Sequence, residues 1–367
     1  MSAADYAEEL YALLRDKALP SWLERVDERH GGYVLSPHEK QLATQSRMVW
    51  VFSNAHRNGL GDYLAAAGRG VDFLLERLHD TERDGFFWKA DREGRPLDER
   101  KFLYGHVFAI YALVEYGRAG AGADAVGRAL TVFRLLRERA HDDEFGGWLE
   151  HFAPDWRPIL EPDVVVEVES AGLKSSNSHL HALEALTVLY AETRDADVGE
   201  ALSETIDVCT SCFYPPDPAT ASRQRRRSWE PAGQVGVSVG HNIEFAWLLT
   251  HAESVLGREP SLDRLDAYLA QALATGNDVR IWWETAETLA ALATAIGHRP
   301  DPVYLEQLER LLEFVLAHQI DPADGLWLYT VAADGTVVNA AKVETWKDAY
   351  HEHRATMLLA EALRQSG

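Results

Sequence analysis

The stretch EFGGWLEH, residues 144–151, decides how this chain folds. Its glycine pair suits a tight turn, and the bulky residues behind it suit a short extended piece. The same signature returns as RHGGYVL (29–35), RDGFFWKA (83–90) and ADGLWLYT (323–330). Away from these turns, apolar residues recur at helical spacing almost everywhere. The periodicity predicts helices over 3–26, 38–58, 62–79, 98–117, 123–140, 176–193, 198–213, 239–256, 261–274, 280–297, 302–318 and 346–364. No long stretch alternates like a half-buried strand. Twelve helices make six pairs of about 61 residues, so the repeated unit is a helical hairpin. Some helices, such as SVGHNIEFAWLL (238–249), are apolar nearly all round. Closing the pairs into a ring buries such inner helices on every side, which an open solenoid does not. The expectation is an all-α (α/α)6 barrel, a toroid of six helical hairpins. It forms one domain over 1–367, with outer and inner helices alternating.

Composition narrows the function. The chain has 367 residues, a formal net charge of -22 and 11 tryptophans. Such an acidic protein is a poor partner for nucleic acid or an anionic membrane. No run of eighteen apolar residues is present, and the acidic start MSAADYAEEL has no apolar core of a secretory signal. The expected compartment is the cytoplasm. The CTSC pair, Cys209 and Cys212, reads as two small core residues, since no second CxxC and no leading strand accompany it. The basic run RQRRR (223–227) reads as a solvated loop, and GRAGAGADAVG (117–127) as an interhelix turn.

The even-numbered helices carry polar residues in their first halves. These are Arg47; Tyr104 and His106; Asn177, His179 and His181; His241 and Glu244; Trp282, Trp283 and Glu287; and Trp346, Tyr350, His351, His353 and Arg354. The odd helices show nothing comparable. In a barrel, alternate helices line the axis, so these clusters are expected to form a pocket of convergent polar groups. Histidine is the residue of proton transfer near neutral pH. A metal is disfavoured: in HLH and HEH the histidines stand two apart and point about 200° apart on a helix. No HExxH is present. Glu244 and Glu287 are the candidate carboxylates for a glycosidase, and tryptophans beside polar groups suit a sugar.

At these residues the chain resembles the N-acylglucosamine 2-epimerase superfamily, which includes cellobiose 2-epimerases, mannose 2-epimerases and mannose isomerases. The resemblance runs through SRMVWVFS, LYGHVFAIYAL, NSHLHALEALTVLY, SVGHNIEFAWLL, WWETAE and WKDAYHEHRA, in order, from about residue 40 to 360. It implies the same barrel and a reaction at C2 of a free reducing sugar, with no cofactor and no metal. It implies His241 and His351 as the catalytic acid/base pair, acting through a cis-enediolate. Asn177 and His181 would bind oxygens near C1 and C2, and Arg47 would stabilise the enediolate charge. Glu244 would hold His241 or a sugar hydroxyl. Tyr104, Trp282, Trp283, Trp346 and Arg354 would shape the pocket. His106, His179 and His353 stay outside this set as structural residues.

The expected activity is epimerisation of mannose to glucose, or of the reducing end of a disaccharide. The alternative is a mannose–fructose isomerase. A glycosidase or a non-catalytic sugar-binding protein on the same toroid are remoter readings. Ala349, where disaccharide epimerases usually carry proline, and His106, where they often carry glutamine, tilt the expectation toward a monosaccharide. The only partner implied is a small sugar, bound by a monomer or homodimer.

Overall fold

The computed structural model describes residues 2–232, 238–274 and 279–366. Twelve helices lie among them: α1 (3–23, with a π-helical turn at Leu14–Ala18), α2 (Leu42–Arg57), α3 (64–78), α4 (Leu103–Tyr116), α5 (Ala123–Arg139), α6 (Ser176–Thr193), α7 (196–213), α8 (Val239–Val255), α9 (Leu262–Ala274), α10 (Trp282–His298), α11 (302–319) and α12 (Tyr350–Ser366). The even helices are buried nearly all round, as in α2, where every residue from Leu42 to Ala55 is buried. The odd helices bury one stripe. In α7 that stripe is Val198, Ala201, Leu202, Thr205 and Ile206, the spacing of an amphipathic helix.

The contacts divide the chain into two compact units. One holds 26–237 and 251–260; the other holds 1–25, 238–250 and 261–367. In the first, α2 packs on α3 and α4, α4 on α5 and α6, and α6 on α7. In the second, α10 packs on α9, α11 and α12, and α1 packs on α11 and α12.

Three expected helices start too early. Residues 39–41 and 101–102 are short strands, and 346–349 lie ahead of α12 without helical structure. The strands matter to the site because each ends where an inner helix begins. β1 (Glu39–Gln41) pairs antiparallel with β2 (Lys89–Asp91), and β2 with β3 (Pro96–Asp98). β4 (Lys101–Phe102) pairs with β5 (His151–Phe152), and β6 (Leu173–Ser175) with β7 (Gln224–Arg226). β8 (Val279–Ile281) pairs with β9 (Thr330–Ala332), which pairs with β10 (Val337–Asn339). Thus β1, β4, β6 and β8 run directly into α2, α4, α6 and α10 and fix their N-terminal turns.

The four glycine–aromatic turns are one structure repeated. Each closes with an isolated bridge across seven residues: Val26 to Tyr33, His79 to Phe86, His141 to Trp148 and Ile320 to Trp327. Gly31, Gly85, Gly146 and Gly325 take φ between +73° and +77°, where a side chain would be strained. Each turn opens on an aspartate, Asp27, Asp80, Asp142 or Asp321, whose carboxylate accepts amides two or three residues on. In three of them a buried lysine standing two residues before the inner helix completes the carboxylate. Lys40 meets Asp27 at 3.0 Å, Lys101 meets Asp80 at 2.8 Å and Lys174 meets Asp142 at 2.9 Å. Burial alone would raise the Asp142 pKa, but Arg227 and Lys174 more than offset it and hold it at about 2.

Arg227 belongs to the basic run expected to be a solvated loop. Instead, Gln224–Arg226 is β7, and Arg227 makes two hydrogen bonds to Asp142. The two cysteines close α7 as free thiols, Cys209 buried and Cys212 half-buried.

Candidate active site

The second unit brings together side chains from the first turns of α8, α10 and α12. Gly240 opens this part of α8 because a Cβ there would run into the Trp283 ring. His241, next to it, is half-buried and packs against that same indole, ring centres 4.9 Å apart. Trp283 lies 5.8 Å from the ring of His351. The Trp283 ring therefore neighbours both histidines.

His351 is buried, and its Nδ1 lies 2.7 Å from Glu287 Oε1. The same oxygen accepts Arg354 Nη2 at 2.7 Å, while Oε2 accepts the Trp247 indole N–H at 2.9 Å. Arg354 Nη2 also donates to Glu244 Oε1 at 2.6 Å, and Nη1 donates to the Tyr350 hydroxyl. The guanidinium is stacked over Trp247 and Tyr350, at 4.8 and 4.3 Å. Glu287 is fully buried, which alone would raise its pKa. Arg354 and His351 outweigh that and hold it low, so the carboxylate stays ionised. An ionised acceptor at Nδ1 assigns the proton there and makes Nε2 the basic nitrogen of the ring.

Glu244, Glu287 and His351 place possible metal-ligand atoms within 4.8 Å of one another. The Arg354 guanidinium already donates to both carboxylates, so a positive charge occupies the place between them. The same arrangement speaks against a glycosidase pair. Such a pair needs one carboxyl that carries a proton, and Arg354 donates to both.

The first unit holds four more of the expected residues. Arg47 Nη2 donates to the Tyr104 hydroxyl at 2.7 Å, and its guanidinium lies 4.4 Å over Phe108. His181 packs edge-on to Tyr104 at 5.3 Å, and its Nδ1 meets Glu184 Oε2 at 3.0 Å. Asn177 stands one turn before His181 on the same helix face, and its Oδ1 is buried with no hydrogen bond from the protein. Trp346 is half-buried ahead of α12, not on the helix expected from 346.

Two other inner-helix histidines have a different task. His106 Nδ1 donates to Phe102 O at 2.7 Å and Nε2 accepts the Phe86 amide at 2.9 Å. His179 does the same to Ser175 O and the Trp148 amide, at 2.7 and 3.0 Å. Each clamps the aromatic residue of a glycine turn. Gln45 clamps Tyr33 likewise, accepting its amide at 2.7 Å and donating to its carbonyl at 2.9 Å. All three stand three residues into their helices.

Sequence reasoning missed Glu287 as a histidine's anchor and passed over Glu184, Phe108 and Trp247. Glu184 was findable, since His181 and Glu184 have the i, i+3 spacing that singled out His241 and Glu244. Glu287 was not, because its partners lie on α8 and α12.

The sequence pattern of the N-acylglucosamine 2-epimerase (GlcNAc 2-epimerase) family matches residues 26–279 and 265–355. The chain is 28% identical to a cellobiose 2-epimerase of Bacteroides fragilis, over 95% of this chain and 96% of that one. It is 26% identical to a D-mannose isomerase of Thermobifida fusca, over 85% and 82%. The solved cellobiose 2-epimerase of Spirochaeta thermophila superposes with a TM-score of 0.90 at 30% identity, covering 99% of this chain and 98% of the other. The fold class is therefore the all-α (α/α)6 barrel, and the protein is a carbohydrate epimerase/isomerase. It belongs to the N-acylglucosamine 2-epimerase family. No helix among the described residues is long and apolar enough to cross a membrane.

Proposed function

We propose that this enzyme epimerises a free reducing aldose of the mannose–glucose type at C2, as a monosaccharide or as the reducing end of a disaccharide. The observation that carries the reading is the buried chain from Arg354 through Glu287 to His351 Nδ1. A neutral imidazole held this way takes the proton alpha to the open-chain carbonyl on Nε2. The ionised Glu287 stabilises the imidazolium that results. Loss of that proton leaves a cis-enediolate. His241, the second acid/base group, returns a proton to the other face of C2 and gives the epimer. Trp283, against both imidazoles, suits the C–H face of a sugar ring.

Glu244 shares Arg354 with Glu287 and is assigned to a sugar hydroxyl. Arg47 is assigned to the enediolate charge, and Asn177 and His181 to oxygens near C1 and C2. Tyr104 holds Arg47, and Trp282 and Trp346 shape the pocket. The enzyme is proposed to work without cofactor or metal, as a cytoplasmic monomer or homodimer.

His106 no longer bears on the choice of sugar, because both its nitrogens are committed to backbone. The test is incubation with mannose and with cellobiose in heavy water, followed by product separation. Glucose from mannose, with deuterium at C2, supports the proposal. Fructose as the sole product replaces it with a mannose–fructose isomerase, in which the same intermediate is protonated at C1. No conversion of either sugar overturns the substrate assignment.

A further inference from the structure

The segment leading into α12 carries a second buried set of titratable side chains. Lys347 and Glu352 are 0% and 2% exposed. Lys347 Nζ stands 4.6 Å from the centre of the Trp282 ring and 3.9 Å from Glu352 Oε1, beyond hydrogen-bond reach. The Trp282 indole N–H is turned toward the Glu352 carboxylate without closing a hydrogen bond. Lys347 Nζ, Trp282 Nε1 and both Glu352 oxygens are all buried without a hydrogen-bond partner in the protein.

This is unlike the other buried lysines. Lys40, Lys101 and Lys174 each meet a turn aspartate at 3.0 Å or less. Nor is Lys347 the lysine of the fourth turn, because Lys342 serves Asp321 there. Buried polar groups are almost always hydrogen-bonded, so four such atoms together call for a reason beyond stability.

The location supplies one. The Trp282 ring meets the His351 ring at 6.4 Å with planes 85° apart, and Glu352 follows His351 in the chain. We propose that Lys347 and Glu352 are positioning residues: they grip Trp282 from its face and its N–H edge, and Trp282 holds the His351 ring at the angle proton transfer requires. This rests on reading His351 as an acid/base group. An ammonium over an indole face is a favourable contact, strengthened by burial. Burial pushes the Lys347 amine down and Glu352 up to about 7.

The experiment compares wild type with Lys347→Met, Lys347→Arg and Glu352→Gln. It reads kcat and KM on a sugar the wild type converts, and the Trp282 indole N–H resonance assigned through Trp282→Phe. Lys347→Met keeps the apolar stem and removes the ammonium. It is expected to lower kcat about tenfold or more with KM changed by less than about twofold, and to move the indole resonance. Lys347→Arg is expected to recover most of kcat. A folded Lys347→Met enzyme with wild-type kcat and an unmoved indole resonance overturns the proposal, as does an arginine variant no better than methionine. Should Lys347→Met not fold, Glu352→Gln carries the same test with the same outcomes. If the wild type converts no aldose while the indole resonance still moves, the proposed function fails and the grip on Trp282 stands.

Discussion

His179 in α6 and His351 in α12 both lie in the first turns of inner helices and are both buried. Their partners set them apart. His179 gives Nδ1 to a backbone carbonyl and Nε2 to a backbone amide, and burial pushes its pKa down to about 3. It is locked neutral and holds a turn. His351 gives Nδ1 to a carboxylate that Arg354 keeps ionised. It is equipped to become charged. A histidine near the start of an inner helix is therefore locked neutral or able to take up a proton according to what its nitrogens meet.

The comparison breaks first at His351. His351→Ala should lower kcat by about a thousandfold with little loss of melting temperature, while an alanine at the clamp His179 should do the reverse. Equal losses of activity would dissolve the distinction.

Glu287→Gln keeps the shape and removes the charge. It should lower kcat by about ten- to a hundredfold, and unfolding should show a loss of about 3 kcal/mol at neutral pH, because Arg354 loses one of two buried acceptors. The pH dependence follows from the low folded pKa, about 2 against 4.5 when unfolded. The folded form binds this proton less readily, so Glu287 contributes its stability above pH 4.5 and loses it as pH falls toward 2. Denaturant titrations should show wild type and Glu287→Gln converging over that window; a constant gap would refute the ionised carboxylate.

At His106 the effects concern stability. His106→Ala strips the acceptor from the Phe86 amide and should cost about 3 kcal/mol, measured by denaturant unfolding.

The smallest effect is expected for His106→Gln, since Gln45 already clamps Tyr33 from the same position of α2. It should cost under about 1 kcal/mol at pH 7.5. The folded pKa of His106 is about 3 against 6.5 when unfolded, so acid favours the unfolded chain below pH 6.5. The glutamine lacks that penalty, and at pH 5 it should gain about 2 kcal/mol on wild type relative to their difference at pH 7.5. Parallel pH profiles would show that His106 is not held neutral.

The fold was legible where neighbours along the chain decide the outcome. The expected helix 176–193 matches Ser176–Thr193. The expected starts at 38 and 98 fail because periodicity cannot see strand partners. Glu39–Gln41 and Lys101–Phe102 are extended because residues 89–91 and 151–152 lie beside them. The turn aspartates and their lysines went unread for a similar reason, since Asp142 and Lys174 are 32 positions apart in the chain.

By itself, the sequence determined the helical repeat, the glycine turns and which helices are buried on all sides. It also placed polar residues in the first halves of alternate helices. These follow from side-chain spacing and from the residue that most readily takes a positive φ. The tertiary structure alone decided which histidine is clamped to backbone and which faces a carboxylate. It joined Glu287 of α10 to His351 of α12, and the Trp148 amide of a turn to His179 of α6. A histidine's proton affinity is set by the groups within hydrogen-bond reach of its ring, and folding brings those from distant segments.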